Sequence, residues 1–223
     1  MASREYVGET FSDAMRDFYG LASWAVFTRS TTSGTGLMDG HSDLFRITCA
    51  KKAVLGIQTM QTMHRLERSI ASSQTCSVHV WDQAWASYYG KQGKDSPFTV
   101  SGKRDHDFAT ASGVSHPGVV VNQLIVPLFH QGQLALRPES FNRTAAIGAA
   151  FDIRRLVVLT YVRAALKYSY KVCPVSSGCT SSDGYSAKYH AEGYTYARAV
   201  LGFVASLNRT AAQARFSSIY RQW

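Results

Sequence analysis

Ser186-Ala-Lys-Tyr-His-Ala-Glu-Gly-Tyr-Thr-Tyr-Ala-Arg-Ala-Val-Leu-Gly-Phe-Val-Ala-Ser-Leu207 reads as a helix with a carboxylate on its apolar side. At about 100° per residue, Glu192 shares a face with Tyr189, Tyr196, Ala199, Phe203 and Leu207. Such a face is buried, and an ionised carboxylate within it requires a cation, a metal or hydrogen-bond donors beside it. His190 lies about 160° round the same wheel, so partners for Glu192 come from other helices.

Helical spacing recurs along most of the chain. Phe11, Met15, Phe18, Ala22 and Ala25 mark a first helix from Glu9 to Thr28, ended by Ser30-Thr-Thr-Ser-Gly-Thr-Gly36. A second, from about Ser42 to Ile70, carries Val54, Ile57, Met60, Met63, Leu66 and Ile70 on one broad face. His64 and Glu67 fall within that arc, three residues apart, and such a pair can present an imidazole nitrogen and a carboxylate to one metal ion. The same spacing serves a His–Glu hydrogen bond, and Arg65 and Arg68 stand close enough to neutralise Glu67.

Val78 to Gly90 forms a third helix with Trp81, Trp85 and Tyr88 on one side; Asp82 flanks that stripe as a solvated residue or a further ligand. Lys91 to Pro97 breaks it, and Phe98 to Gly113 reads as a long irregular segment whose Lys103-Arg-Asp-His-Asp-Phe108 forms a charged surface loop. The apolar run from Val119 through Leu136 predicts a helix kinked at Pro127. Residues from about Phe141 to Val172 make the most apolar helix, with Arg163, Lys167 and Lys171 as its wet stripe. A terminal helix follows the opening stretch, from about Thr210 to Trp223.

Gln83-Ala-Trp-Ala-Ser-Tyr88 and Glu192-Gly-Tyr-Thr-Tyr-Ala197 superpose as polar, small, aromatic, small. Each follows a Cys-containing loop and a long helix. The expected architecture is therefore all-α: an antiparallel helical bundle of two duplicated three-helix units, about residues 9–115 and 116–208, plus a terminal helix, in one domain of 1–223.

Composition narrows the function. The chain has 223 residues, 45% of them hydrophobic, enough for a substantial core. Its 24 Lys+Arg against 15 Asp+Glu give a net charge of +9, which favours anionic partners such as an acidic protein or an anionic polysaccharide. The basic residues are scattered and no nucleic-acid fold signature is present, which argues against a nucleic-acid partner. P-loop, G-x-S-x-G, dinucleotide and H-E-x-x-H motifs are missing, so no enzymatic chemistry is expected. Cys173 and Cys179 flank a turn that a disulfide closes if the compartment is oxidising; Cys49 and Cys76 bracket a helical stretch, and four free thiols are the alternative. Two sequons, at Asn142 and Asn208, are compatible with a secretory route, although the N-terminus lacks the layout of a signal peptide.

Trp81-Asp-Gln-Ala-Trp-Ala-Ser-Tyr-Tyr-Gly90, Ser96-Pro-Phe98 and Lys103-Arg-Asp-His-Asp-Phe-Ala-Thr110 together resemble the algal iron-assimilating proteins, the secreted low-iron- or high-CO2-inducible type, whose pattern runs W-D-E-A-W-A-x-Y, S-P-Y, D-K-R-x-x-N-F-G-T. Ala165-Leu-Lys-Tyr-Ser-Tyr-Lys171 and Ala191-Glu-Gly-Tyr-Thr-Tyr196 are similar to that family's second block. The resemblance implies an extracellular or periplasmic, non-enzymatic protein of iron uptake, binding ferric iron or an anionic iron complex. A more distant likeness to imelysin-type helical domains with an H-x-x-E motif implies His64 and Glu67 as ligands beside Glu192, with Asp82 as a fourth. This chain departs from the pattern at Gln83, where the family has Glu. The alternative is a structural or interaction protein of the same fold that has lost its metal.

Overall fold

A computed structural model describes residues 43–71, 74–91, 96–108, 120–172 and 187–207. Among these residues there are six α-helices and no strands: α1 Asp43–Ala71, α2 Gln74–Tyr89, α3 Pro97–Asp107, α4 Val121–Ala135, α5 Arg143–Val172 and α6 Ala187–Leu207, with a short 3-10 turn at Pro138–Ser140 between α4 and α5. The all-α fold class follows directly from the periodicity. The Glu9–Thr28 helix, the Cys173–Cys179 loop and the terminal helix lie outside the described residues.

The chain forms two compact units, Met1–Ile57 with Tyr161–Trp223, and Gln58–Thr160. The second has an aromatic core. Trp81 is buried in α2, its indole N–H donates to the Phe129 carbonyl of α4 at 2.8 Å, and its ring meets the edge of Phe129 at 6.1 Å. Gly132 permits this: a Cβ there would stand 1.9 Å from the Trp81 ring. Tyr88 continues the stripe, its hydroxyl donating to Asn122 Oδ1 at 2.8 Å and lying 3.0 Å from Ser101. Buried polar groups therefore tie α2, α3 and α4 together beneath the rings.

The segment expected to be irregular is largely α3. Ser96 caps it, accepting from the Thr99 N–H at 3.3 Å, and Pro97 occupies its first turn, where a missing N–H costs nothing. Its charged run is not a solvated loop either. Arg104 and Asp105 are buried; Asp105 accepts the Val121 N–H at 2.9 Å, which secures the start of α4, and Arg104 pairs with Asp107 at 2.8 Å. In α4 the proline is carried inside the helix, as anticipated.

In the first unit α6 is the most enclosed element, with Ala191 through Tyr196 all buried, so the helix is covered on every side there. The expected wet stripe of α5 is corrected: Arg163 is buried, whereas Leu166 and Tyr170 are exposed. Four tyrosines link α5 and α6, with Tyr189 to Tyr168 at 6.1 Å, Tyr168 to Tyr196 at 5.8 Å and Tyr196 to Tyr161 at 5.7 Å between ring centroids. The Tyr161 hydroxyl donates to the Leu55 carbonyl of α1 at 3.1 Å.

Candidate functional site

Three residues of α1 meet α6 in succession. Phe45 packs edge-on against the His190 ring at 5.1 Å, the Cys49 thiol points at the Ala191 carbonyl at 3.8 Å, and Lys52 reaches Glu192 at 2.8 Å. Their four- and three-residue steps keep them on one side of α1. The opening question of what stands beside the buried carboxylate thus has its answer in Lys52.

The pair is sheltered unequally: the Glu192 side chain is 5% exposed and that of Lys52 22%. Lys52 also lies over the Tyr196 ring, 5.8 Å from its centroid, so its charge rests between a carboxylate and an aromatic face. Beside the pair, burial pushes the Cys49 thiol up to about 11, with the Thr195 hydroxyl and the Arg198 charge opposing. Cys49 is a free, inert thiol rather than a nucleophile or a disulfide partner in this structure. The Cys76 side chain, Cys173 and Cys179 lie outside the described residues.

The other candidate ligands belong to the second unit. His64 is exposed rather than within the apolar arc of α1, and desolvation together with Arg68 and Arg65 pushes its pKa down. Glu67 is half-buried, which raises its pKa against the opposing charge of Arg154. Asp82 is exposed and accepts from the Gln133 amide at 2.7 Å. Gln83, where the resemblance implies Glu, is exposed, lies 2.9 Å from His79, and its backbone carbonyl accepts from Arg65 at 3.0 Å.

No three His, Cys, Asp or Glu side chains among the described residues are grouped to hold a metal ion. Of the four expected ligands, Glu192 belongs to the first unit and His64, Glu67 and Asp82 to the second. Lys52 was not singled out from the sequence. Its signal is an amphipathic one: of the adjacent Lys51 and Lys52, Lys52 shares a helical face with Cys49, Gly56 and Met60, all buried.

The model of the low iron-inducible periplasmic protein family, Fea1, matches residues 2–204. The chain belongs to that family. No curated protein and no solved structure matches it. The family's description, a low iron-inducible periplasmic protein, agrees with the resemblance carried by the Trp81–Gly90 and Ala191–Tyr196 blocks. No helix among the described residues is long and apolar enough to cross a membrane.

Proposed function

We propose that this family member is a non-enzymatic, extracytoplasmic iron-assimilation protein that binds iron as a preformed anionic complex rather than as a bare ion. The observation that carries this reading is the Lys52–Glu192 pair. The carboxylate best placed inside the helices already has its counter-charge, so a naked ferric ion would have to displace a lysine from it. The net charge of +9 draws a ferric carboxylate complex and repels the free cation.

Calorimetric titration with ferric citrate at low and high salt tests the proposal. Binding that weakens with salt and survives Glu192→Ala supports it. Loss of binding in Glu192→Ala would instead support direct ligation by Glu192, Glu67, His64 and Asp82. Exposed Gln83 in place of the family's Glu favours one second reading, a member that has shed iron and binds an acidic protein or an anionic polysaccharide. No ferric citrate binding, with salt-sensitive binding to polygalacturonate, would establish that reading and end the first.

A further inference from the structure

In the second unit, α4 and α5 line an open groove of about 600 Å³, a volume within the range of ligand pockets. Its walls are aliphatic, from Leu124, Pro127 and Leu128 on α4 and Leu156 and Leu159 on α5. Asp152 and Arg155 complete the lining. Leu124 is 47% exposed and neighbouring Phe151 60%, so apolar surface continues outside the groove as well as lining it.

The polar groups choose the ligand. Arg155 and Asp152 are mostly exposed and 3.9 Å apart, the outer limit of an ion pair, so Asp152 does not hold the guanidinium fork in the two-bond geometry it can offer. Arg155 lies over the Phe151 ring at 5.8 Å, which sets its head beside apolar surface. A carboxylate arriving on an apolar chain meets two parallel N–H donors there, and the positive charge of the molecule favours its approach over that of a cation. Asp152, 3.9 Å from the same guanidinium, repels each negative charge brought to it, so a single carboxylate is opposed less than a dicarboxylate.

We infer that the α4–α5 groove is a binding site for an amphiphilic monocarboxylate of the fatty-acid class, with the alkyl chain against Leu124, Leu128 and Leu156 and the carboxylate on Arg155. This site is separate from the Lys52–Glu192 pair and independent of the iron reading.

The test is calorimetric titration of the full chain with dodecanoate below its micellar range, beside dodecyltrimethylammonium as the cationic counterpart. The expected result is saturable binding of one dodecanoate per chain, with the cation about tenfold weaker or more. Arg155→Gln, at an exposed position that leaves the core untouched, should remove the preference while retaining weak binding of both. Leu124→Gln, also exposed, should weaken both amphiphiles severalfold. Equal affinity for the two headgroups in the wild-type chain, binding of many molecules indifferent to Leu124→Gln, or no binding at all would each overturn the inference.

Discussion

Replacing Lys52 by Met keeps most of the unbranched stem and removes the ammonium group, leaving Glu192 at 5% exposure without its partner. Breaking a fully buried ion pair from one side costs about 3–5 kcal/mol. Lys52 is 22% exposed, so water takes up part of the deficit, and about 2–3 kcal/mol is the reasoned loss for Lys52→Met. For a chain of this length that corresponds to a fall in Tm of roughly 4–12 °C. Glu192→Gln keeps two polar atoms in place and should cost less, about 1–2 kcal/mol. The double variant removes both charges and leaves a neutral amide near a thioether, so its loss should fall well short of the sum of the two. The cycle is read by urea denaturation monitored by circular dichroism. A coupling energy below about 0.5 kcal/mol, or a Lys52→Met variant as stable as the parent, would refute the claim that this pair holds α1 to α6.

Three further outcomes follow from the geometry. Gly132→Ala sets a Cβ 1.9 Å from the buried Trp81 ring, and neither the indole, held to the Phe129 carbonyl, nor the helix backbone can yield cheaply; a loss of about 3 kcal/mol is expected by denaturant titration, where Ala for Gly at an uncrowded helix site would stabilise. Cys49 has its thiol raised to about 11 in the folded state against an ordinary 9.0, so the folded chain binds the extra proton between those values. Its contribution is complete below pH 9 and disappears as pH rises through about 11, a loss of roughly 2–3 kcal/mol that Cys49→Ala should abolish. The same burial predicts that Cys49 resists iodoacetamide at pH 8 until the chain unfolds; rapid labelling of the native protein would count against it.

The helices with strong apolar periodicity were legible to within a few residues because burial of one side is what stabilises them. Asp43–Ala71 and Arg143–Val172 differ little from the ranges their spacing predicts. Pro97–Asp107 was missed because its inward side carries Val100, Ser101, Arg104 and Asp105, a mixture that registers as no period at all. The signal that was present is local rather than periodic: Ser96 followed by Pro97 is a cap and a first-turn proline. Arg163 shows a different limit. It stands only about 20° from Tyr170 on the wheel, yet one is buried and the other 59% exposed. A wheel averages along the axis, and over a 30-residue helix the neighbours change from turn to turn.

The candidate site was legible in one half. The period put Glu192 on a buried side of its helix, and that holds; His190, about 160° round the wheel, is buried too and meets Phe45 on the same side of α1 as Lys52. Periodicity fixes an angle and says nothing about which helix stands opposite or at what height. The cation beside Glu192 is decided by which residue of α1 stands at its height, and that residue is Lys52. Phe45, Cys49 and Lys52 sit opposite His190, Ala191 and Glu192 in that order, so the residue facing the carboxylate is set by the Phe45 and Cys49 contacts that come before it. A lysine at position 52 then satisfies a buried acid within the helix pair itself, which is the condition under which such an acid persists without a metal. Gln83 is exposed and neutral and needs no counter-charge, and the Arg65 beside it is satisfied by the Gln83 backbone carbonyl and the Ser87 hydroxyl.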